Sequence, residues 1–283
     1  MVLPSADAGY DLHTHSVCSD GTTTPAQIAA QAAAVGLAGF ALTDHDTIDG
    51  WDEGRAGAEQ HGVSFLPGIE ITTKHRGHSR HLLGYGMDPV HGELFSALTQ
   101  VRDARLVRVK EMVRRVSVDY AITLEDVVGT GDVATVGRPH IADALVVKGY
   151  FADRSTAFEQ VLHPGSPYYL GTYAIETSDA IRLVRESGGV SVLAHPAAFR
   201  QRAATSVTHL TELAAAGLWG IELAHPENRQ DWLPPLEAAA VKLGLESTGS
   251  SDYHGNGKPN RLGEQRTRSE VVERLRAAVA SPH

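Results

Sequence analysis

Apolar residues along the chain fall into short continuous runs separated by helix-like stretches. Runs at Tyr10–His15, Leu37–Thr43, Val63–Thr72, His81–Tyr85, Gly189–Ala194, Leu218–Leu223 and Leu245–Ser250 read as seven buried strands. Helices are predicted between them. Thr24-Pro25 opens one, with threonine as cap and proline at the first helical position, and Gly36 stops it. Further helices are expected near Asp49–His61 and over Ser178–Glu186, Val207–Ala216, Leu233–Leu243 and Ser269–Ala280. Strands alternating with helices imply parallel strands and right-handed crossovers. The fold class expected is α/β, a closed barrel whose strand ends converge on one mouth.

Residues 98–168 break this rhythm. Leu98–Val118 reads as one long helix carrying Arg102, Arg105, Arg108, Lys110, Arg114 and Arg115. Thr123 with Asp126 resembles a capping box, with Asp in the place usually taken by Glu or Gln. Shorter helices follow at Pro139–Lys148 and Ser155–Val161. The expected organisation is a barrel from residues 1–97 and 169–283, with a helical insertion at 98–168 beside its mouth. The basic long helix could track an RNA strand, although such faces are usually only solvated.

Composition narrows the function classes. A chain of 283 residues that is 42% hydrophobic and 21% charged can build a sizeable core, which excludes disorder and fibrous repeats. The net charge of −9 argues against broad duplex-DNA binding but leaves room for a small phosphate ligand at a metal site. A single cysteine, Cys18, leaves no intrachain disulfide framework and is expected to be structural. Residues 1–12 lack a signal-peptide pattern. The uncharged stretch Gly21–Thr43 is Ala-rich and broken by Pro25, Gly36 and Gly39, so it reads as helix and strand rather than a membrane span. A cytoplasmic protein with no membrane partner is expected, as a monomer or small homo-oligomer.

The 15 histidines carry the chemistry, because many follow apolar runs. His13 and His15 share one strand face and can grip one ion. Asp20 lies just beyond them. His45, in Asp44-His45-Asp46, reads as a ligand, with Asp44 or Asp46 orienting it and Asp46 also capping the next helix. Glu70 ends a buried strand, a costly place for a carboxylate unless it is paired or coordinated, and its two oxygens can face two ions. Of His75, His78 and His81, the strand fixes His81, while the other two are expected in an exposed turn. His195 and the pair Asp252/His254 follow two more strands. His225 is assigned an outer role at most. His61, His91, His163, His209 and His283 read as surface or helix-end residues.

Taken in order, Asp11-Leu12-His13-Thr14-His15, Ser19-Asp20-Gly21, Thr43-Asp44-His45-Asp46, Gly68-Ile69-Glu70, Ala194-His195-Pro196 and Ser251-Asp252-Tyr253-His254 resemble the polymerase and histidinol phosphatase (PHP) superfamily. The resemblance spans residues 10–255 and implies a distorted seven-stranded, TIM-like (β/α) barrel. It implies three metal sites: His13, His15, Glu70 and Asp252; then Glu70 as a bridge with His81 and His195; then Asp20, His45 and His254. Having Asp20 where many relatives have His, and an insertion after the fourth strand, points to the stand-alone branch. That branch includes phosphatases of nucleoside 3′,5′-bisphosphates and 5′-to-3′ exonucleases of short RNA.

The expected function is metal-dependent hydrolysis of a phosphate ester, on a nucleotide or a short 5′-phosphorylated RNA. Two to three divalent ions, with manganese favoured over zinc or iron, would acidify a shared water and clamp the phosphoryl oxygens. Attack by a metal-bridging hydroxide assigns His13, His15, Glu70, His195, Asp252 and His254 to the catalytic set. Arg138, Arg200 and His140 are the candidates for substrate phosphate, guanidinium because it grips phosphate in bidentate fashion. The competing readings are a histidinol-phosphate phosphatase, an amide or ring hydrolase using the same ions, and a non-catalytic metal-binding module.

Overall fold

A computed structural model describes residues 8–129, 136–201 and 203–280. The expectations placed on residues 1–7 and on His283 lie outside this range. Seven strands run side by side in the order β1 (Tyr10–Asp11), β2 (Gly39–Leu42), β3 (Ser64–His75), β4 (His78–Tyr85), β6 (Val190–Leu193), β7 (Gly220–Ala224) and β8 (Glu246–Gly249). A two-residue strand, β5 (Ile175–Glu176), which has no clear sequence pattern, adds to β3. A parallel bridge between Thr14 and Tyr253 joins the continuation of β1 to that of β8 and brings the two edges together. This is the distorted (β/α) barrel expected from the sequence.

The expectation of uniformly parallel strands is corrected. β1, β2 and β3 are parallel, and so are β6, β7 and β8, but β4 runs antiparallel to both β3 and β6. The cause is local. Arg76 and Gly77 both have positive φ, 49° and 80°, and form a two-residue hairpin turn between paired His75 and His78. Such a turn matches strand twist and forces the chain straight back. The strand at β4 therefore begins three residues earlier than the apolar run.

Helices pack outside the sheet. α1 (Pro25–Ala34) begins with the expected Thr24 cap, completed by Gln27. It packs with α2 (Trp51–His61), and Ile28, Ala29, Phe40, Leu42 and Trp51 share one core with α7 (Thr177–Glu186), α8 (Val207–Ala215) and α9 (Leu233–Leu243). Tyr10, Leu12, Leu83, Tyr85 and Val192 form a second cluster with Val272 and Leu275 of α10 (Ser269–Ala280).

The long basic helix, α3 (Gly92–Val116), starts six residues earlier than the pattern suggests, capped by His91. Its first half buries Leu94, Leu98 and Val101 in the main core. Its second half buries Val109, Met112, Val113 and Val116 in a separate cluster with α4 (Leu124–Val128), α5 (Arg138–Val147) and α6 (Arg154–Ala157). The Thr123/Asp126 capping box forms at α4. The last of these helices widens into a π-turn at Phe158–Leu162. No described helix is long and apolar enough to cross a membrane.

Arg102, Arg105 and Arg108 of α3 face inward rather than solvent, Arg108 onto the Leu170 carbonyl. Arg102 donates to the Asp46 carbonyl at 2.6 Å, and the buried Arg105 guanidinium pairs with the Asp46 carboxylate and Thr72 Oγ1. Breaking one side of a buried pair leaves the other charge unpartnered, at about 3–5 kcal/mol. Arg105→Ala should therefore cost stability of that order in denaturant unfolding. A loss under about 1 kcal/mol would show that the pair does not tie α3 to the barrel.

Candidate metal centre

Strand ends deliver most of the candidate ligands to one side of the barrel; Glu70, expected to end its strand, instead lies within β3, as His81 does within β4, because the hairpin extends beyond them. Pairing of the 13–15 segment with Tyr253 continues the sheet past β1, with His15 N donating to Tyr253 O at 2.8 Å. His13 and His15 thereby stand beside Asp252. The bridge between His45 and Glu70 does the same for β2 and β3. His195 and Asp252 both have positive φ, 29° and 55°, as does Asp46 at 55°. Non-glycine residues hold that region only where their surroundings impose it, at about 1–3 kcal/mol each.

Glu70 is the junction. Its Oε2 lies 3.2 Å from His13 Nε2, 3.1 Å from His15 Nε2 and 3.3 Å from His45 Nδ1. Its Oε1 lies 2.7 Å from His81 Nδ1 and 3.1 Å from His195 Nε2. One oxygen thus faces the β1–β2 histidines and the other faces those of β4 and β6. Asp252 Oδ1 stands 3.5 and 3.4 Å from His13 and His15 Nε2. Asp20 Oδ1 is 3.2 Å from His254 Nε2, and Asp20 Oδ2 is 3.9 Å from His45 Nε2. All nine candidate ligands therefore meet around one space.

His195 Nε2 and Glu70 Oε1 are within hydrogen-bond distance, but five other donor atoms converge with no such partner. His13 Nε2, His15 Nε2, His45 Nδ1, His254 Nε2 and Asp252 Oδ1 are buried and have no hydrogen-bond partner. Donor atoms about 2.1 Å from a common ion lie about 3.0–3.4 Å from each other. Most of the spacings above fall near that range. Nitrogen and carboxylate donors of this kind suit divalent first-row ions. Two groups have the expected make-up: His13, His15, Glu70 and Asp252, and Asp20, His45 and His254 joined by His15. In the third, Glu70 and His81 have His45 within reach as well as His195.

Charge is strongly partitioned. Burial opposes ionisation of Glu70, yet His45, His81 and His13 hold its carboxyl well below the usual range. Burial is likewise overcome at Asp20, by His254 and His45, and at Asp252, by Lys258 and His13. His15 rises to about 9 because Asp252 and Glu70 outweigh its burial. His195 and His254 fall to about 4, chiefly through burial, with Lys258 adding to the effect at His254. The carboxylates stay ionised and part of the imidazole set stays neutral, the states a cation requires of its ligands.

Outer residues fix the rings. Glu222 Oε1 meets His13 Nδ1 at 3.0 Å, turning Nε2 inward, while Glu222 Oε2 accepts from His195 N at 2.7 Å. The Asp252 carbonyl, 2.9 Å from His254 Nδ1, does this for His254. His225 comes closer than expected. Its Nδ1 accepts from Glu227 N, so Nε2 carries the proton and points at Asp252 Oδ2, 3.5 Å away. Lys258 Nζ is 2.6 Å from the same oxygen. Glu222 lies inside an apolar strand and Lys258 in a polar loop, so only spatial proximity singles them out.

Several expectations change here. Neither Asp44 nor Asp46 orients His45. Asp44 accepts from Ser16 N, Ser16 Oγ and Ser19 Oγ at 2.6–2.7 Å and holds the loop that carries Asp20. Asp46 does not cap α2, whose cap position is Gly50; its carboxylate binds Thr72 and Arg105. His75 is buried against Glu212, whereas His78 is exposed as expected. Arg200 reaches the centre, with Nε 2.6 Å from Glu227 and Nη2 3.9 Å from Asp252 Oδ2. Arg138 instead donates to the Leu162 carbonyl and lies over the rings of Phe158 and Tyr169. His140 Nδ1 accepts from Gly137 N and closes the start of α5. Arg154, which carried no signal in the sequence, links Asp143 to the Asp20 carbonyl.

Residues 11–144 match the model of the PHP domain family. A 3′,5′-nucleoside bisphosphate phosphatase from Chromobacterium violaceum is 32% identical over 262 residues, 90% of each chain. The chain belongs to the PHP family. A 5′-3′ exoribonuclease from Haemophilus influenzae is 28% identical over 248 residues, 87% of this chain and 89% of that one. The structure of a Bifidobacterium adolescentis protein, described on inference as a metal-dependent phosphoesterase, superposes with a TM-score of 0.93. It is 41% identical and covers 96% of both chains. This PHP protein is a metal-dependent hydrolase of phosphoester bonds.

Ligand binding stabilises a fold by about 2.7 kcal/mol at one hundred times Kd. Chelator-treated protein should therefore melt at a clearly higher temperature once manganese or zinc is restored. Glu222→Gln should raise the half-saturating metal concentration about 10–100-fold, because it loosens His13. A melting temperature indifferent to divalent ions would contradict the convergence of these donors.

Proposed function

We propose that this PHP protein hydrolyses a phosphate monoester of a nucleoside 3′,5′-bisphosphate or of a short 5′-phosphorylated RNA. The observation that supports this substrate class is the Arg200 guanidinium at the centre, 3.9 Å from Asp252 Oδ2, with Arg138 close enough to feel its charge. Burial, then the charges of Arg200 and Arg105, depress the pKa of Arg138; burial and Arg138 bring Arg108 down to about 10. Cations crowded in this way favour a multiply charged anion. The names of the relatives above agree with a nucleotide or RNA substrate.

The centre would hold its first ion with His13, His15, Glu70 and Asp252, its second with Glu70, His81 and His195, and its third with Asp20, His45 and His254. Manganese is the favoured metal. Bound divalent ions supply acidified water near neutral pH and positive charge for the phosphoryl oxygens. The chain does the positioning. Glu70 keeps the two imidazole groups in register, while Glu222 and the Asp252 carbonyl aim His13 and His254 inward. Arg200, held by Glu227, would grip a substrate phosphate at the rim. Arg138 would take a second phosphate by turning from the Leu162 carbonyl, with His140 at the same helix start. The helices of residues 98–168 would cap the mouth, tied to it by Arg105 and Arg154.

The manganese-loaded enzyme should release phosphate from adenosine 3′,5′-bisphosphate and not from histidinol phosphate; the reverse preference would overturn the substrate assignment. Arg200→Ala should raise KM for the bisphosphate more than for a substrate with one phosphate. Equal effects on both would remove Arg200 from phosphate recognition.

Glu70→Gln should lower kcat at least about a hundredfold, or ~2.7 kcal/mol of barrier. Near-normal turnover would mean that Glu70 does not join the two imidazole groups. It would also favour a mechanism with a single independent ion.

A further inference from the structure

A second set of metal-type donors lies away from the centre, at the tip of the β3–β4 hairpin. His75 and His78 are cross-strand partners on either side of the Arg76-Gly77 turn. Facing them, α8 presents His209 and Glu212, three residues apart and so on one helix face. His75 Nε2 lies 2.9 Å from Glu212 Oε2. The rings of His75 and His209 meet edge to face at 4.8 Å, and those of His78 and His209 are 6.4 Å apart.

Two observations set this cluster apart from an ordinary ion pair. His209 Nδ1 is buried and has no hydrogen-bond partner. One donor atom each from His75, His209 and Glu212 lies within 4.8 Å of the others. The other carboxylate oxygen of Glu212 receives Arg76, which leaves Oε2 directed at the imidazoles. Outer partners commonly orient metal ligands in this way.

We propose that His75, His209 and Glu212 bind a divalent zinc-type ion, with His78 placed to complete the shell. Two donors from a hairpin and two from a facing helix are one stable way to build a closed tetrahedral site. Two or three imidazoles select zinc over magnesium or calcium, which prefer oxygen. The site is structural. It fastens the hairpin tip to α8, about 17 Å along β3 from Glu70 at ~3.4 Å per residue. It stiffens the strands that carry Glu70 and His81 without touching the reaction.

The test compares full-length wild type with His209→Ala and with the isosteric Glu212→Gln, both at half-buried positions. Each protein is stripped with chelator, loaded with excess zinc, passed over a desalting column and assayed for bound metal. Wild type should retain one zinc ion per chain more than either variant. Zinc should also raise its melting temperature further than theirs, while manganese-supported phosphatase activity stays equal in all three. Equal zinc content in wild type and both variants would overturn the site. So would a loss of zinc accompanied by a parallel loss of activity, which would place the missing ion in the catalytic centre.

Discussion

Everything at the mouth of this barrel depends on one buried carboxylate, Glu70, faced by imidazoles on both of its oxygens. A lone ionised glutamate in so dry a place would be costly enough to change its protonation state. Here the surrounding histidines hold it ionised. The partners come from four separate strands, so the charge is balanced only when the barrel is complete. Folding and assembly of the centre are therefore the same event. The unpartnered nitrogens of His13, His15, His45 and His254 mark the place where a cation finishes the balance.

The irregularities of the barrel serve that geometry. β4 reverses direction through the Arg76-Gly77 turn and so carries His81 back along Glu70, where Thr72 is its cross-strand neighbour. A helix crossover at that point would have placed the fourth strand parallel, with its start at the far end of the barrel. The left-handed backbone at His195 and Asp252 bends two other strand ends toward the same space. Buried outer bonds hold these conformations: Glu222 accepts from the His195 amide, and Asn260 donates to the carbonyl of Ser251.

The arginines divide by what they meet. Arg105 and Arg154 are used internally, on Asp46 and Asp143, and connect the helices of residues 98–168 to the loops of the centre. Arg108 and Arg138 instead meet the carbonyls of Leu170 and Leu162 and the ring of Tyr169, and Arg200 is held by Glu227. Arg138 is largely covered by aromatic rings and Arg200 is 45% exposed at its side chain.

Within the sequence, the strand-end histidines and acids were legible because period-two placement and apolar runs are local properties. His13 with His15, the carboxylate of Glu70 in a buried run, and Asp252 with His254 could be read without coordinates. The seven strands and the caps at Thr24 and Thr123 followed from the same local rules. Contacts between distant segments had no such signal. Glu222 behind His13, Lys258 on Asp252, Arg154 on the Asp20 loop and the pairing of His75 with Glu212 are long-range. The roles of Asp44 and Asp46 were open for the same reason, since a carboxylate beside a histidine can turn to any donor the fold supplies. Local pattern determined which residues could do chemistry; the closed sheet decided which of them face each other, because only chain packing sets distances between residues far apart in sequence.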